Sequence, residues 1–343
     1  MRNTAEETVA SAQCEQSQSN VPHFIAVIAT VSKQPGKVKI TMEKTEKKQV
    51  FKKDRTVSFV IIVLALAGFL TAVAFDVKPV ITIILSLLAP MATYEIIKAV
   101  GGKSKILFTV ACAVSFFTVI AQGFGLTLPP TEALYGVYVL LLMTLMVFFH
   151  KDILFAHASA AFLASVALPF AFSCFLRLNN IGDWFHGFTH EEGVYFVGLA
   201  FSCSWFTDTF AYIVGVKFGK HKMAPVISPK KSIEGAVGGV VITSLLNVLI
   251  LYLFTIGCKN LYDYTIFGES ATKYLIIIPI SMILSLVSML GDLSASVIKR
   301  NFGIKDYSKL IPGHGGIMDR FDSCIFVAPA LYCILKIASE YIA

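Results

Sequence analysis

Nine apolar runs dominate this chain, at about residues 57–75, 80–97, 106–124, 133–149, 153–176, 194–214, 236–257, 274–291 and 325–343. Each is close to the ~20 residues that a helix needs to cross a bilayer core of ~30 Å. Inside hydrocarbon every backbone N–H and C=O must be satisfied by the chain itself, so helices are the spanning element for runs of this length. The expected fold is an all-α polytopic membrane protein of about nine transmembrane helices. Composition agrees, since 56% of the 343 residues are hydrophobic and only 15% are charged, against about 25% charged in a soluble domain. Pro90, Glu95 and Lys98 interrupt the second run, and Lys336 and Glu340 stand four apart in the ninth. Snorkelling or mutual pairing accounts for the last two.

Loop charges orient the spans. With the N-terminus in the cytoplasm, 24 of the 29 Lys and Arg residues fall inside and four outside (Lys78, Arg177, Lys259 and Lys273), while Lys336 lies in the last run. That split obeys the positive-inside rule. Residues 1–56 read as a separate cytoplasmic basic tail, and 57–343 as the transmembrane domain. The first twenty residues lack the apolar core of a signal peptide, and "HFIAVIATV" is too short to span. "MEKTEKKQVFKKDR" reads as a solvated basic stretch near anionic headgroups, and Met42 is a candidate for the true start. The seven cysteines are scattered without a C-x-x-C pair, which gives neither a disulfide framework nor a zinc site.

Against this apolar background, the polar residues near membrane depth stand out, because charge there is expensive. Asp208 lies in "SWFTDTFAYIVG", Asp292 in "SMLGDLSAS", and Asp319 and Asp322 in "GIMDRFDS". In the charge-derived topology all four reach the cytoplasmic side. Asp319 and Asp322 share a face if their segment is helical. Convergent carboxylates suit Mg²⁺, which takes a few of them and completes its octahedron with phosphate oxygens and water; the bland reading pairs each Asp with a cation such as Arg320 or Lys299. Basic residues gather on the same side: Lys217, Lys220, His221, Lys222, Lys230 and Lys231 in one loop, and Lys299, Arg300, Lys305 and Lys309 in another. The topology rule alone explains many of them. However, "SPKKS" and "PGHGG" surround their polar groups with Pro and Gly, whose turns can aim N–H groups at an anion. His314 between glycines is a candidate phosphate donor, and His157 reads as a packed polar residue. The residues themselves define an integral membrane protein with a cytoplasm-facing site for metal and phosphate, compatible with a lipid-phosphate enzyme or an anion transporter.

The segment "SVIKRNFGIKDYSKLIPGHGGIMDRFD", residues 296–322, resembles the signature of the phosphatidate cytidylyltransferases, or CDP-diacylglycerol synthases, in Ser296, Lys299-Arg300, Lys305-Asp306, His314-Gly315-Gly316, Asp319-Arg320 and Asp322. Upstream, "DTFAYIVGVKFGKHKMAPVISPKKSIEG" is similar to the family's second characteristic region, with Ser228-Pro229-Lys230-Lys231 and Glu234-Gly235. "SI" at 232–233 departs from the family's Thr and aromatic. The specific resemblance covers residues 200–330. It implies that CTP and phosphatidic acid give CDP-diacylglycerol and pyrophosphate with Mg²⁺, and a second metal ion is compatible with the pattern. It also implies that Asp292, Asp319 and Asp322 hold metal and that Lys299, Arg300, Lys305 and Lys231 hold phosphates. Arg320 would orient an Asp, Asp208 would be a polar anchor, and Ser228, Lys230, His314, Gly315 and Gly316 would complete the substrate site. The expected partners are CTP, phosphatidic acid and membrane lipids, with a homodimer as a further candidate and no nucleic acid. The expected setting is the cell membrane with the site toward the cytoplasm. A CTP-dependent polyprenol kinase or another lipid-phosphate cytidylyltransferase is the nearest rival. An anion transporter fits less well, because the charges gather at one face and not at the midplane.

Overall fold

The computed structural model describes residues 64, 66–126, 131–185, 188–308, 310 and 315–342, all within one compact unit, Gln49–Ala343. The expectations for the tail 1–56, for Met42, for Lys309 and for His314 lie outside the described residues. Residues 66–74 are helical. There follow α1 (Lys78–Ala99), α2 (Lys105–Gly123), α3 (Thr131–Phe148), α4 (Phe155–Asn179) and α5 (His190–Phe218). Two short strands, β1 (Lys222–Ala224) and β2 (Ser228–Ser232), lead into α6 (Ile233–Tyr262). The chain ends with α7 (Thr272–Asn301), the single turn α8 (Met318–Phe321) and α9 (Cys324–Ile342).

Six of the described helices, α1, α2, α4, α5, α6 and α7, are long and apolar enough to cross a membrane. Their outer faces carry large apolar side chains in the open, such as Leu163, Leu245, Leu253 and Leu275. So many exposed apolar residues suit hydrocarbon surroundings and not water. Pro90, Pro169, Pro279 and Pro329 sit inside α1, α4, α7 and α9, which transmembrane helices tolerate because neighbouring groups satisfy the freed backbone.

One sequence expectation is corrected here. The second apolar run is not interrupted: α1 continues through Pro90, Glu95 and Lys98 to Ala99, with Glu95 buried at 2% exposure. The all-α expectation describes the bundle, to which the structure adds two short strands. Pro225 and Pro229 bar a helix from the polar segment before α6, and it forms an antiparallel hairpin pairing Lys222 with Ser232 and Ala224 with Ser228.

The main core joins α1, α4, α5, α7 and α9 through residues such as Leu85, Phe172, Phe175, Phe201, Leu284 and Leu331. A smaller cluster of Ile97, Leu107, Tyr138, Leu142 and Ile153 packs α2 and α3 against α1 and α4. Between α5, α6 and α7 the buried contacts include polar ones. Ser202 Oγ donates to Asn247 Oδ1 at 2.5 Å, Asn247 Nδ2 donates to Ser281 Oγ at 3.2 Å, and Thr207 Oγ1 donates to Ser285 Oγ at 2.9 Å. Hydrogen bonds of this kind hold helices together where lipid removes the hydrophobic incentive to associate. Small residues let the backbones approach: a Cβ at Gly235 would lie 2.5 Å from the Ala211 carbonyl oxygen.

At one end of the bundle, carboxylates and long polar side chains staple the loops. Glu192 accepts from Thr189 N, Tyr264 Oη and Phe267 N at 3.1, 2.9 and 3.1 Å. The buried Lys273 ammonium donates to the Ile266 and Gly268 carbonyls, both at 2.8 Å. The opposite end, where α1, α5 and α7 finish and α6 and α9 begin, carries the residues singled out in the sequence.

Candidate functional site

A cavity of about 340 Å³ opens at that end, lined by Asp208, Asp292, Asp319 and Asp322 together with Ser228, Lys230, Lys231 and Ser232 and an apolar wall that includes Tyr212 and Met289. Each acid is placed by a different part of the fold. Asp208 is in the C-terminal half of α5 and Asp292 in that of α7; Asp319 is on α8, and Asp322 falls between α8 and α9. The four carboxylates that the sequence only suggested could meet therefore do meet.

Two lysines reach into this group. Lys231, at the end of β2, forms an ion pair with Asp292, and its ammonium is 3.9 Å from Asp208 Oδ1. Its position follows from the hairpin and from Ser232, which caps α6 by accepting the Gly235 N–H at 3.2 Å. A serine N-cap of this kind contributes about 1 kcal/mol. Lys299, near the end of α7, donates to Asp319 Oδ1 at 2.9 Å, with its ammonium 5.3 Å from the centre of the Tyr307 ring. Ser323 bridges two acids: its hydroxyl donates to Asp208 Oδ2 at 3.1 Å and its N–H to Asp322 Oδ1 at 2.8 Å. Asp322 is nearly buried. Burial first, then the Asp292 carboxylate, pushes its pKa up to about 7. This is the signature of crowded negative charge in a low-dielectric recess.

Of the glycine turn, Gly315 and Gly316 lie within the described residues. The N–H of Gly316 and those of Tyr307, Ile317 and Met318 in the flanking chain face the protein's own carboxylates. Gly316 N donates to Asp319 Oδ2 at 3.0 Å, and Tyr307 N donates to the same oxygen at 2.9 Å. Ile317 N and Met318 N donate to the Glu95 carboxylate at 3.1 and 2.8 Å. Gly315 takes a left-handed φ of 84°, where L side chains are strained.

The bland reading of paired acids therefore holds in part, since Asp292 and Asp319 each face a lysine. Among the described residues, no group of three or more His, Cys, Asp or Glu side chains stands ready to hold a metal ion as the side chains lie. Other residues anticipated for phosphate contact fall outside the cavity lining. Arg300 is exposed and donates to the Ile227 and Ile304 carbonyls at 3.4 Å each, which ties the hairpin turn to the end of α7. Lys305 and Arg320 are exposed. Lys336 and Glu340 in α9 are exposed as well. His157 lies at the start of α4, accepting the Leu154 N–H at 3.4 Å on Nδ1.

Sequence reasoning missed Glu95, Tyr307 and Ser323. For Glu95 a signal existed, since an acid within an apolar run is by default functional. Tyr307 and Ser323 carry no such mark, as their parts depend on backbone placement alone.

Fold and site together define a polytopic helical membrane protein with an acidic, lysine-edged cavity at one end of its helices. Residues 53–338 match the Cytidylyltransferase family, and the chain belongs to it. Among curated proteins, it is 40% identical over 164 residues to a phosphatidate cytidylyltransferase of Staphylococcus aureus (strain COL), covering 47% of this chain and 58% of that protein. A phosphatidate cytidylyltransferase of Staphylococcus saprophyticus is 46% identical over the same length and coverage, and one of Staphylococcus haemolyticus (strain JCSC1435) is 38% identical. These alignments span 58% of each relative's length.

Proposed function

We propose that this protein is a phosphatidate cytidylyltransferase, which joins CTP and phosphatidic acid to give CDP-diacylglycerol and pyrophosphate. The observation that carries the reading is the meeting of Asp208, Asp292, Asp319 and Asp322 with Lys230 and Lys231 around one cavity at the ends of membrane helices, with Lys299 paired to Asp319. The names of its relatives support the reaction. The attacking group would be a phosphate monoester, whose second pKa near 6 leaves it ionised at neutral pH. A strong general base is therefore unnecessary, and the barrier lies in bringing one anion against another. Lys231 and Lys299 would neutralise phosphate oxygens, while the apolar wall keeps the diacylglycerol portion toward the bilayer.

The residues fit Mg²⁺. Four carboxylates outnumber the three lysines beside them, Lys230, Lys231 and Lys299, and their donors are all oxygen, the chemistry a hard cation prefers. Magnesium needs only a few carboxylates when substrate phosphates and water complete its shell; Asp292, Asp319 and Asp322 would hold it, with Asp208 beside them. Bound there, it would screen the charge that develops on the phosphates. A second ion would share the same carboxylates.

In this reading nine spans, with the N-terminus inside, form one transmembrane catalytic domain over 57–343, and 1–56 is a basic cytoplasmic tail. The cavity opens to the cytoplasm at the cell membrane, supported by the 24 inside cations. Purified protein given labelled CTP, Mg²⁺ and phosphatidic acid should yield a liponucleotide and pyrophosphate. Product formed from polyprenol or polyprenyl phosphate instead would assign the protein to the rival lipid enzymes. No transfer to any of these lipids would remove the proposal.

A further inference from the structure

Glu95 is the most deeply buried acid among the described residues, at 2% exposure, and it lies outside the cavity lining. Its carboxylate is nonetheless engaged on both oxygens. Oε1 accepts the Ser308 hydroxyl at 2.5 Å and the Ile317 N–H at 3.1 Å, and Oε2 accepts the Met318 N–H at 2.8 Å. Every partner is a donor, which is the arrangement a buried ionised carboxylate requires. One side chain from α1 thus fixes the backbone on both sides of the segment that leads from Tyr307 to α8.

That backbone carries the site. Tyr307 and Gly316, the neighbours of Ser308 and Ile317, are the residues whose N–H groups hold Asp319 Oδ2. Met318, held by Glu95, immediately precedes Asp319, which pairs with Lys299. The same acid explains a glycine: a Cβ at Gly316 would lie 2.5 Å from both Glu95 oxygens, so position 316 is bare to admit the carboxylate.

We propose that Glu95 is the positioning residue of this site, a buried anion that sets the chain at Ser308 and at Ile317 and Met318 and, through their neighbours Tyr307, Gly316 and Asp319, the Asp319–Lys299 pair and the adjoining Asp322. It touches no substrate. The kinetic arm of its test rests on the cytidylyltransferase reading, whereas its hydrogen-exchange arm does not.

The decisive variant is Glu95→Gln, which keeps the shape but turns one acceptor into a donor facing a donor. Backbone hydrogen exchange in the segment 315–320 should accelerate while exchange in α6 stays unchanged. With CTP and phosphatidic acid, kcat should fall by about 10²-fold, the loss typical of a site displaced by an ångström. The KM for phosphatidic acid should hold, and more Mg²⁺ should be needed for half-maximal rate. Glu95→Asp, which retains the charge, should recover part of kcat. If Glu95→Gln does not fold, Gly316→Ala and Ser308→Ala take the same measurements, with the larger effect expected at 316. Unchanged exchange over 315–320 overturns the proposal whatever the kinetics, and so does faster exchange with wild-type kcat and Mg²⁺ dependence. Should the wild-type protein make no liponucleotide, the function assigned above fails and exchange alone decides the part played by Glu95.

Discussion

The Lys299 ammonium donates to Asp319 Oδ1 at 2.9 Å, and the two side chains are 12% and 7% exposed. The pair joins the end of α7 to α8 and holds the last polar turn against the bundle. Breaking a buried ion pair by removing one partner typically costs about 3–5 kcal/mol, because the other charge is left uncompensated. Lys299→Met should therefore lower the unfolding temperature in detergent and abolish transfer. Lys299→Met combined with Asp319→Asn should recover much of the stability and none of the activity. Equal melting of Lys299→Met and wild type would mean that the pair contributes nothing to the fold.

Asp292 poses the converse case, since its partner Lys231 is also near Asp208. Asp292→Asn removes one negative charge and leaves Lys231 a second carboxylate, so the fold should survive. Turnover should not, because the variant loses a proposed metal oxygen and lets Lys231 settle on Asp208. A fall of at least about 10²-fold in kcat is expected, the size seen when one preorganised electrostatic contact is removed. Steady-state assays beside a melting curve separate the two effects, and wild-type-like turnover would contradict the placement of Asp292.

Removing divalent cations tests the charge balance directly. Chelation with EDTA should abolish transfer, and Mg²⁺ should restore it, because four carboxylates beside Lys230, Lys231 and Lys299 already outnumber the cations, and substrate phosphates would add more negative charge. Ca²⁺, larger and less strict in geometry, should bind without supporting comparable turnover. The check is the rate against free metal concentration after dialysis. Full activity in EDTA would mean that lysines alone neutralise the phosphates.

How far the sequence reveals this arrangement depends on the type of signal. Apolar periodicity and length locate α1 to α7 and α9 well, because hydrocarbon imposes a single backbone solution on long apolar runs. The four acids are legible for the related reason that charge near membrane depth is costly. The hairpin at Lys222–Ser232 is less visible, since three- and five-residue strands have too little alternation to register. Glu95 is misread as an interruption because its partners, Ile317 and Met318, are 222 and 223 residues away in sequence, and they contribute backbone N–H groups that no residue type announces. For Gly316 the sequence suggests an N–H free for an anion but not that the anion is Asp319.

Orientation can be tested by labelling. In the proposed topology the loop carrying Lys305 is cytoplasmic and the loop carrying Lys259 is outside. In the structure these positions belong to opposite ends of the bundle: Lys259 is in the last turn of α6, and Lys305 follows the C-terminus of α7. Both lie outside the cavity lining, so Lys259→Cys and Lys305→Cys should leave the fold intact. In a background with Cys333 replaced, because that thiol is exposed, a membrane-impermeant maleimide applied to intact cells should label position 259 and spare 305. Permeabilised cells should label both. The reverse pattern in intact cells would place the acidic cavity outside, away from cytoplasmic CTP, and the proposed reaction would lose its nucleotide.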